Sequence, residues 1–204
     1  MYRIYATIRR LVARPRSTVR RGSKLDGNAG TAFGKLLFRI AVLPFACVML
    51  SACERDSETK LRSELDNWFF LGDTVYFKSQ MRCTGAVFRV AVASPRSSLS
   101  VQDDPARAKA AFQSSTVAAI QMEGRTPVEM TDAMLLSGTG VFGKQVLAAG
   151  ALVGACFEDP ELSGLFHDVL TRPGALLAYD RTTDGLIVVD PLGSRLYYIA
   201  GDVW

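Results

Sequence analysis

Few side chains in this 204-residue chain can do nucleophilic, redox or metal chemistry: four cysteines, Cys47, Cys53, Cys83 and Cys156, and a single histidine, His167. A cysteine acts as nucleophile or metal ligand through its thiolate, which requires a neighbouring base or cation. On a helix opening at Pro160, His167 falls on the side of Ser163 and Thr171. That side is opposite the apolar stripe Leu162, Leu165, Phe166, Val169 and Leu170, so a solvated position is expected. As a catalytic base, His167 would need Cys83 or Cys156 unpaired and within hydrogen-bonding reach. One histidine without ligand spacing argues against zinc. The acids Glu158, Asp159 and Glu161 are accounted for by helix capping and dipole complementarity rather than by calcium, and Asp103-Asp104 reads as a loop end entering a helix.

Gly138-Thr-Gly-Val-Phe-Gly143-Lys144 matches the first seven positions of a phosphate-binding loop, and Leu186-Ile-Val-Val-Asp190 has the form of its companion acidic strand. The eighth position is Gln145, where magnesium ligation needs a Ser or Thr hydroxyl. A phosphate loop also follows a strand, whereas the segment before Gly138 reads as a helix. A glycine-rich break between two helices is expected, with no metal and no cofactor.

The net charge of +4 and pI near 9.0 invite a nucleic-acid reading until the charges are located. Residues 1–52 hold ten of the 24 basic residues and one acid, Asp26, of 20. Residues 53–204 are therefore net negative, with fourteen basic and nineteen acidic side chains. The basicity belongs to the N-terminal quarter, and no nucleic-acid partner is expected.

That quarter ends in Lys35-Leu-Leu-Phe-Arg39, an apolar run from Ile40 to Leu50, and Ser51-Ala52-Cys53. This is the charged, apolar, small-residue order of an export signal. The 14 uncharged residues from Ile40 to Cys53 span roughly 21 Å as a helix, against a hydrocarbon core of about 30 Å. Leu50-Ser51-Ala52-Cys53 resembles the lipobox of bacterial lipoproteins: an aliphatic residue, two small residues and a cysteine. The resemblance implies cleavage before Cys53 by a signal peptidase that recognises Leu50, Ser51 and Ala52, and acylation of Cys53. Two or three acyl chains, at about 0.8 kcal/mol per buried methylene, make a lasting anchor. It also implies a cell-envelope location facing the periplasm. Glu54, where enterobacterial inner-membrane lipoproteins carry Asp, favours the outer membrane mildly. Residues 1–34 exceed what such a leader needs. Their arginines faintly resemble a transit peptide or a twin-arginine signal, and true initiation near Val19 is expected instead.

Residues 1–52 are thus read as extension plus signal peptide, 53–58 as a short tether and 59–204 as one globular domain. Leu61, Leu65, Trp68 and Phe69 predict an amphipathic helix stopped at Gly72. Thr74 to Ser79 and Arg82 to Ala93 read as strands, and Ser94 to Asp103 as a loop. Asp104-Pro105 opens a helix to about Met122, and the capping box Thr126-Pro-Val-Glu129 opens another to about Ser137. Phe142 to Phe157 reads as a buried core helix, with Gly150 and Gly154 making a close helix contact. The chain ends in a three-strand meander, Ala175 to Tyr179, Leu186 to Val189 and Arg195 to Ala200. Asp184-Gly185 closes its first turn, and Gly193 supplies the bulge in the second. The expected fold is α+β: an antiparallel sheet of about five strands packed with four to five helices.

After cleavage, Cys83 and Cys156 are the remaining cysteine pair, in a compartment where disulfides form. They bridge, they stay as two buried thiols, or they take a reactive or metal-binding role. The expected role is non-catalytic: a structural, assembly or binding component holding an envelope protein partner at the membrane face. A small envelope enzyme using a Cys or His, or a small-ligand carrier, are the alternatives. Labelled palmitate should enter the wild-type chain in its host and fail to enter Cys53→Ala; mass spectrometry finding unmodified Cys53 would exclude the anchor.

Overall fold

The computed structural model describes residues 54–137 and 140–202, so Cys53 and the segment expected to be its leader, with Leu50, Ser51 and Ala52, lie outside the described residues. In chain order the elements are α1 (Glu58–Leu65), β1 (Phe70–Ser79), β2 (Cys83–Val92), β3 (Val101–Gln102), α2 (Pro105–Ser114) and β4 (Val117–Ile120). Then follow α3 (Pro127–Leu136), α4 (Gly140–Gly150), the single turn α5 (Val153–Cys156), α6 (Pro160–Leu170), β5 (Leu176–Asp180), β6 (Gly185–Asp190) and β7 (Arg195–Gly201). The fold is α+β.

One seven-stranded sheet runs β1-β2-β7-β6-β5-β4-β3. The meander β5-β6-β7 pairs antiparallel, and β7 pairs antiparallel with β2, setting Gly201 opposite Cys83 and Arg195 opposite Arg89. Side chains alternate between two buried faces. Leu177, Tyr179, Leu186, Val188, Tyr197 and Ile199 face a cluster that includes Phe112 of α2, Met130 and Met134 of α3, Phe142 of α4 and Phe166 of α6. Leu176, Ala178, Ile187, Val189, Leu196 and Tyr198 face a second cluster with Leu61 and Leu65 of α1 and Leu99. Strands buried on both faces read as unbroken apolar runs rather than as alternation, which is the pattern of Leu176 to Tyr179 and Leu186 to Val189.

The helix starts follow their capping chemistry. Asp104 Oδ1 accepts the N–H groups of Ala106 and Arg107, and Asp159 Oδ1 accepts that of Glu161. At α3 the Thr126 hydroxyl accepts from Glu129 N, and Thr126 N donates back to the Glu129 carboxylate. Each of these helices begins with proline, whose missing N–H loses nothing in the first turn.

Five expectations need correction. The sheet has seven strands and is mixed, because β3 runs parallel to β4. The helix expected to Met122 ends at Ser114, and Val117–Ile120 form β4, buried at every residue. Ser114-Ser115-Thr116 weakens the helix, and pairing with β5 decides the rest. The first helix ends at Leu65, and Gly72 lies in β1, where a Cβ would sit 3.2 Å from Arg89 Cβ on the neighbouring strand. The apolar stretch 142–157 is broken into α4 and α5, and neither Gly150 nor Gly154 makes a close helix contact. Gly143 does instead: a Cβ there would meet Leu135 at 3.0 Å, between α4 and α3. In the hairpin turns the left-handed residues are Asp184 (φ 51°) and Ser194 (φ 50°), not the glycines beside them. Gly193 is needed because a Cβ would strike the Asp190 carboxylate, and Gly185 because it would lie 2.6 Å from the Tyr198 ring.

Burial pushes the hydroxyls of Tyr179, Tyr197 and Tyr198 above the ordinary tyrosine value, with Asp184 adding to the shift at Tyr179. A raised folded-state pKa leaves stability complete below the unfolded value of about 10 and removes it as pH rises beyond that point. Absorbance titration should therefore show these tyrosines ionising only with a cooperative loss of fold above pH of about 10. Reversible ionisation of every tyrosine near that pH, with the fold intact, would contradict the packing.

Candidate functional site

Within the expected tether, 53–58, Arg55 and Asp56 are bonded to the domain. Arg55 Nη1 donates to Asp202 Oδ1 at 2.9 Å and Nη2 to the Thr183 carbonyl at 3.0 Å. Asp56 N donates to Ser79 Oγ at 2.8 Å, and its carboxylate accepts from Thr84 Oγ1 at 2.6 Å, with the two hydroxyls 3.0 Å apart. Thr84 is buried, and Asp56 is mostly so, which strengthens the charge-assisted bond between them. Ser57 then caps α1 by accepting from Lys60 N. This latch draws on the β1–β2 turn, the β5–β6 turn and the residue after β7, all at one end of the sheet.

Cys83 opens β2 and Cys156 closes α5, and the structure pairs them with Cα atoms 5.7 Å apart. Gly85 permits the approach, since a Cβ there would lie 2.7 Å from the Cys156 carbonyl oxygen. Tyr76 donates its hydroxyl to that same oxygen at 3.2 Å, and its ring meets Phe157 edge-on at 5.6 Å. Paired in this way, neither sulfur offers a thiol to His167, which is exposed on α6 beside Ser163 and Gly164.

The acids also have structural partners. Asp180 and Asp190, buried at opposite ends of β5 and β6, accept from Thr182 and Thr183 and from Leu192 N and Arg172 respectively. Asp159 caps α6, and Asp103 pairs with Arg107. Lys78 pairs with Glu158 and holds its carboxyl below the usual range, with Gln80 adding a hydrogen bond. Among the described residues no cluster of His, Cys, Asp and Glu has the form of a metal site. Gly140 and Gly143 lie within α4, so the phosphate-loop resemblance ends in helix; Gly138 and Thr139 lie outside the described residues. No described helix is long and apolar enough to cross a membrane.

The described residues also form an apolar concavity. A cleft of about 320 Å³ opens between α3 and α4, walled by Val128, Val146 and Leu147 and floored by Leu177 and Leu186 of the sheet. Val128 and Leu147 are exposed at its rim. Periodicity did not reveal it, because a cleft arises where two helices diverge over a sheet. The latch was equally hidden, since Arg55 and Asp202 lie 147 residues apart.

A bridge closing 73 residues should stabilise by about 2–4 kcal/mol. The purified domain should show no free thiol at Cys83 or Cys156 until reduced. Cys83→Ser with Cys156→Ser should lower the urea midpoint by a matching amount; free thiols in the unreduced native protein would exclude the bridge.

Comparison with protein-family models, with curated proteins and with solved structures finds no match for this chain.

Proposed function

We propose that the chain is a lipid-anchored cell-envelope protein whose single domain acts without catalysis, holding a partner protein close to the periplasmic membrane face. The latch carries this reading. A flexible stalk would let a domain sample the compartment, whereas Arg55 and Asp56, next in line after Cys53 and Glu54, are bonded to three parts of the sheet. Such a domain stays at the bilayer surface, where its partners must also lie. The paired cysteines and several acids support the same reading, because they already serve the fold. The cysteines staple α5 to β2, and the acids cap helices or close turns.

The small-ligand alternative draws on the apolar cleft between α3 and α4, whose volume is at the lower end of the range for small-molecule sites. An envelope enzyme would have to work through His167 without a thiol partner.

The test is genetic and biochemical together. A host lacking the chain should be restored by Cys83→Ser, Cys156→Ser and His167→Ala, each confirmed to fold, and crosslinking at the membrane should recover the same partner with each. Loss of rescue by folded His167→Ala would move the reading to an enzyme. Leu147→Arg abolishing rescue while partner crosslinking persists would move it to a carrier.

A further inference from the structure

We propose that the latch end of the sheet rests on the phospholipid headgroups, with Met81 and Arg82 of the β1–β2 turn as the contact; this builds on the lipid-anchored reading of Cys53. Two peptide units separate Cys53 from Arg55, a reach of at most about 7 Å. An acylated cysteine lies at the boundary of headgroups and acyl chains, and the headgroup layer is itself about 5–7 Å deep. A domain whose chain is fixed from Arg55 onward must therefore sit with that region at the bilayer surface.

What surrounds Arg55 suits a zwitterionic or anionic lipid surface. Met81 is 71% exposed, and the exposed Arg82 next to it enters none of the ion pairs among the described residues. An apolar side chain and a neighbouring cation are the pair that interfaces favour, one entering the acyl boundary and the other meeting phosphate. Of the acids at this end, Asp202 pairs with Arg55, Glu158 with Lys78, Asp184 accepts from the Tyr179 hydroxyl and Asp56 from Thr84, while the exposed Glu54 enters none of the ion pairs among the described residues. The turn is also rigid. Gln80 N donates to the Cys83 carbonyl at 2.8 Å, Asp202 N donates to the Arg82 carbonyl at 3.1 Å, and Cys83 is held by its disulfide. Leu192, 76% exposed, marks the β6–β7 turn at the far end of the sheet, about 20 Å away by the length of β7.

The experiment places a nitroxide on Met81→Cys or on Leu192→Cys in the full-length, host-processed protein. The protein is reconstituted in phosphatidylethanolamine and phosphatidylglycerol vesicles, and collisions with oxygen and with a water-soluble nickel chelate are measured. The label at 81 should be several-fold less open to nickel than the label at 192, and Arg55→Ala should abolish the difference while the protein stays on the vesicles. Where a new thiol near Cys83 disturbs the bridge, Met81→Trp and Leu192→Trp with brominated lipid give the same comparison, with quenching confined to position 81. Equal exposure of both positions with Cys53 acylated overturns the orientation and leaves the anchor standing. Unacylated Cys53 with protein absent from the vesicles overturns both.

Discussion

Strand β7 is hydrogen-bonded along both edges, to β2 and to β6, and its side chains enter both buried clusters. The rest of the architecture depends on that position. Without β7 the N-terminal hairpin has no partner on its inner edge, and the meander has no link to it. An unpaired strand edge in such an apolar segment would carry desolvated N–H and C=O groups, at about 1–3 kcal/mol each. The chain cannot complete its core until its last strand is in place, a long-range pairing with a high entropic cost of closure.

Two further constraints converge on the end of the sheet where β7 finishes. The disulfide ties α5 to the first residue of β2, and Arg55 reaches Asp202, the residue that follows β7. Tether, staple and terminal strand thus share one polar and covalent corner. The buried Thr84 hydroxyl and the Asp56 carboxylate satisfy each other there, so the Asp56 charge is held inside the fold rather than left to solvent. This coupling makes the segment after Cys53 part of the fold itself, and a domain anchored through it would take a defined orientation.

Local chemistry was legible wherever a few adjacent residues carry it. The caps at Asp104, Thr126 and Asp159, the meander and the spacing of the cysteines could all be read directly. Legibility failed where one segment suits two structures. Val117-Ala-Ala-Ile120 continues an alanine-rich helix by propensity, yet β5 offers a free edge and both faces are covered, so burial of four apolar residues outweighs it. Gly150 and Gly154 have the spacing of a helix contact, while the actual close approach uses Gly143 against Leu135, because helix packing depends on which face turns inward.

Neighbouring residues were enough to mark the charge boundary at Cys53 between a basic N-terminal quarter and an acidic remainder, the α+β class, the helix starts and a C-terminal meander, because each rests on interactions of short range. The seven-strand order, the apolar cleft and the latch that binds Arg55 and Asp56 to residues 79, 84, 183 and 202 emerged only once the chain was folded. Those features are products of distant segments meeting, and no local pattern encodes a meeting that depends on where the whole chain has gone.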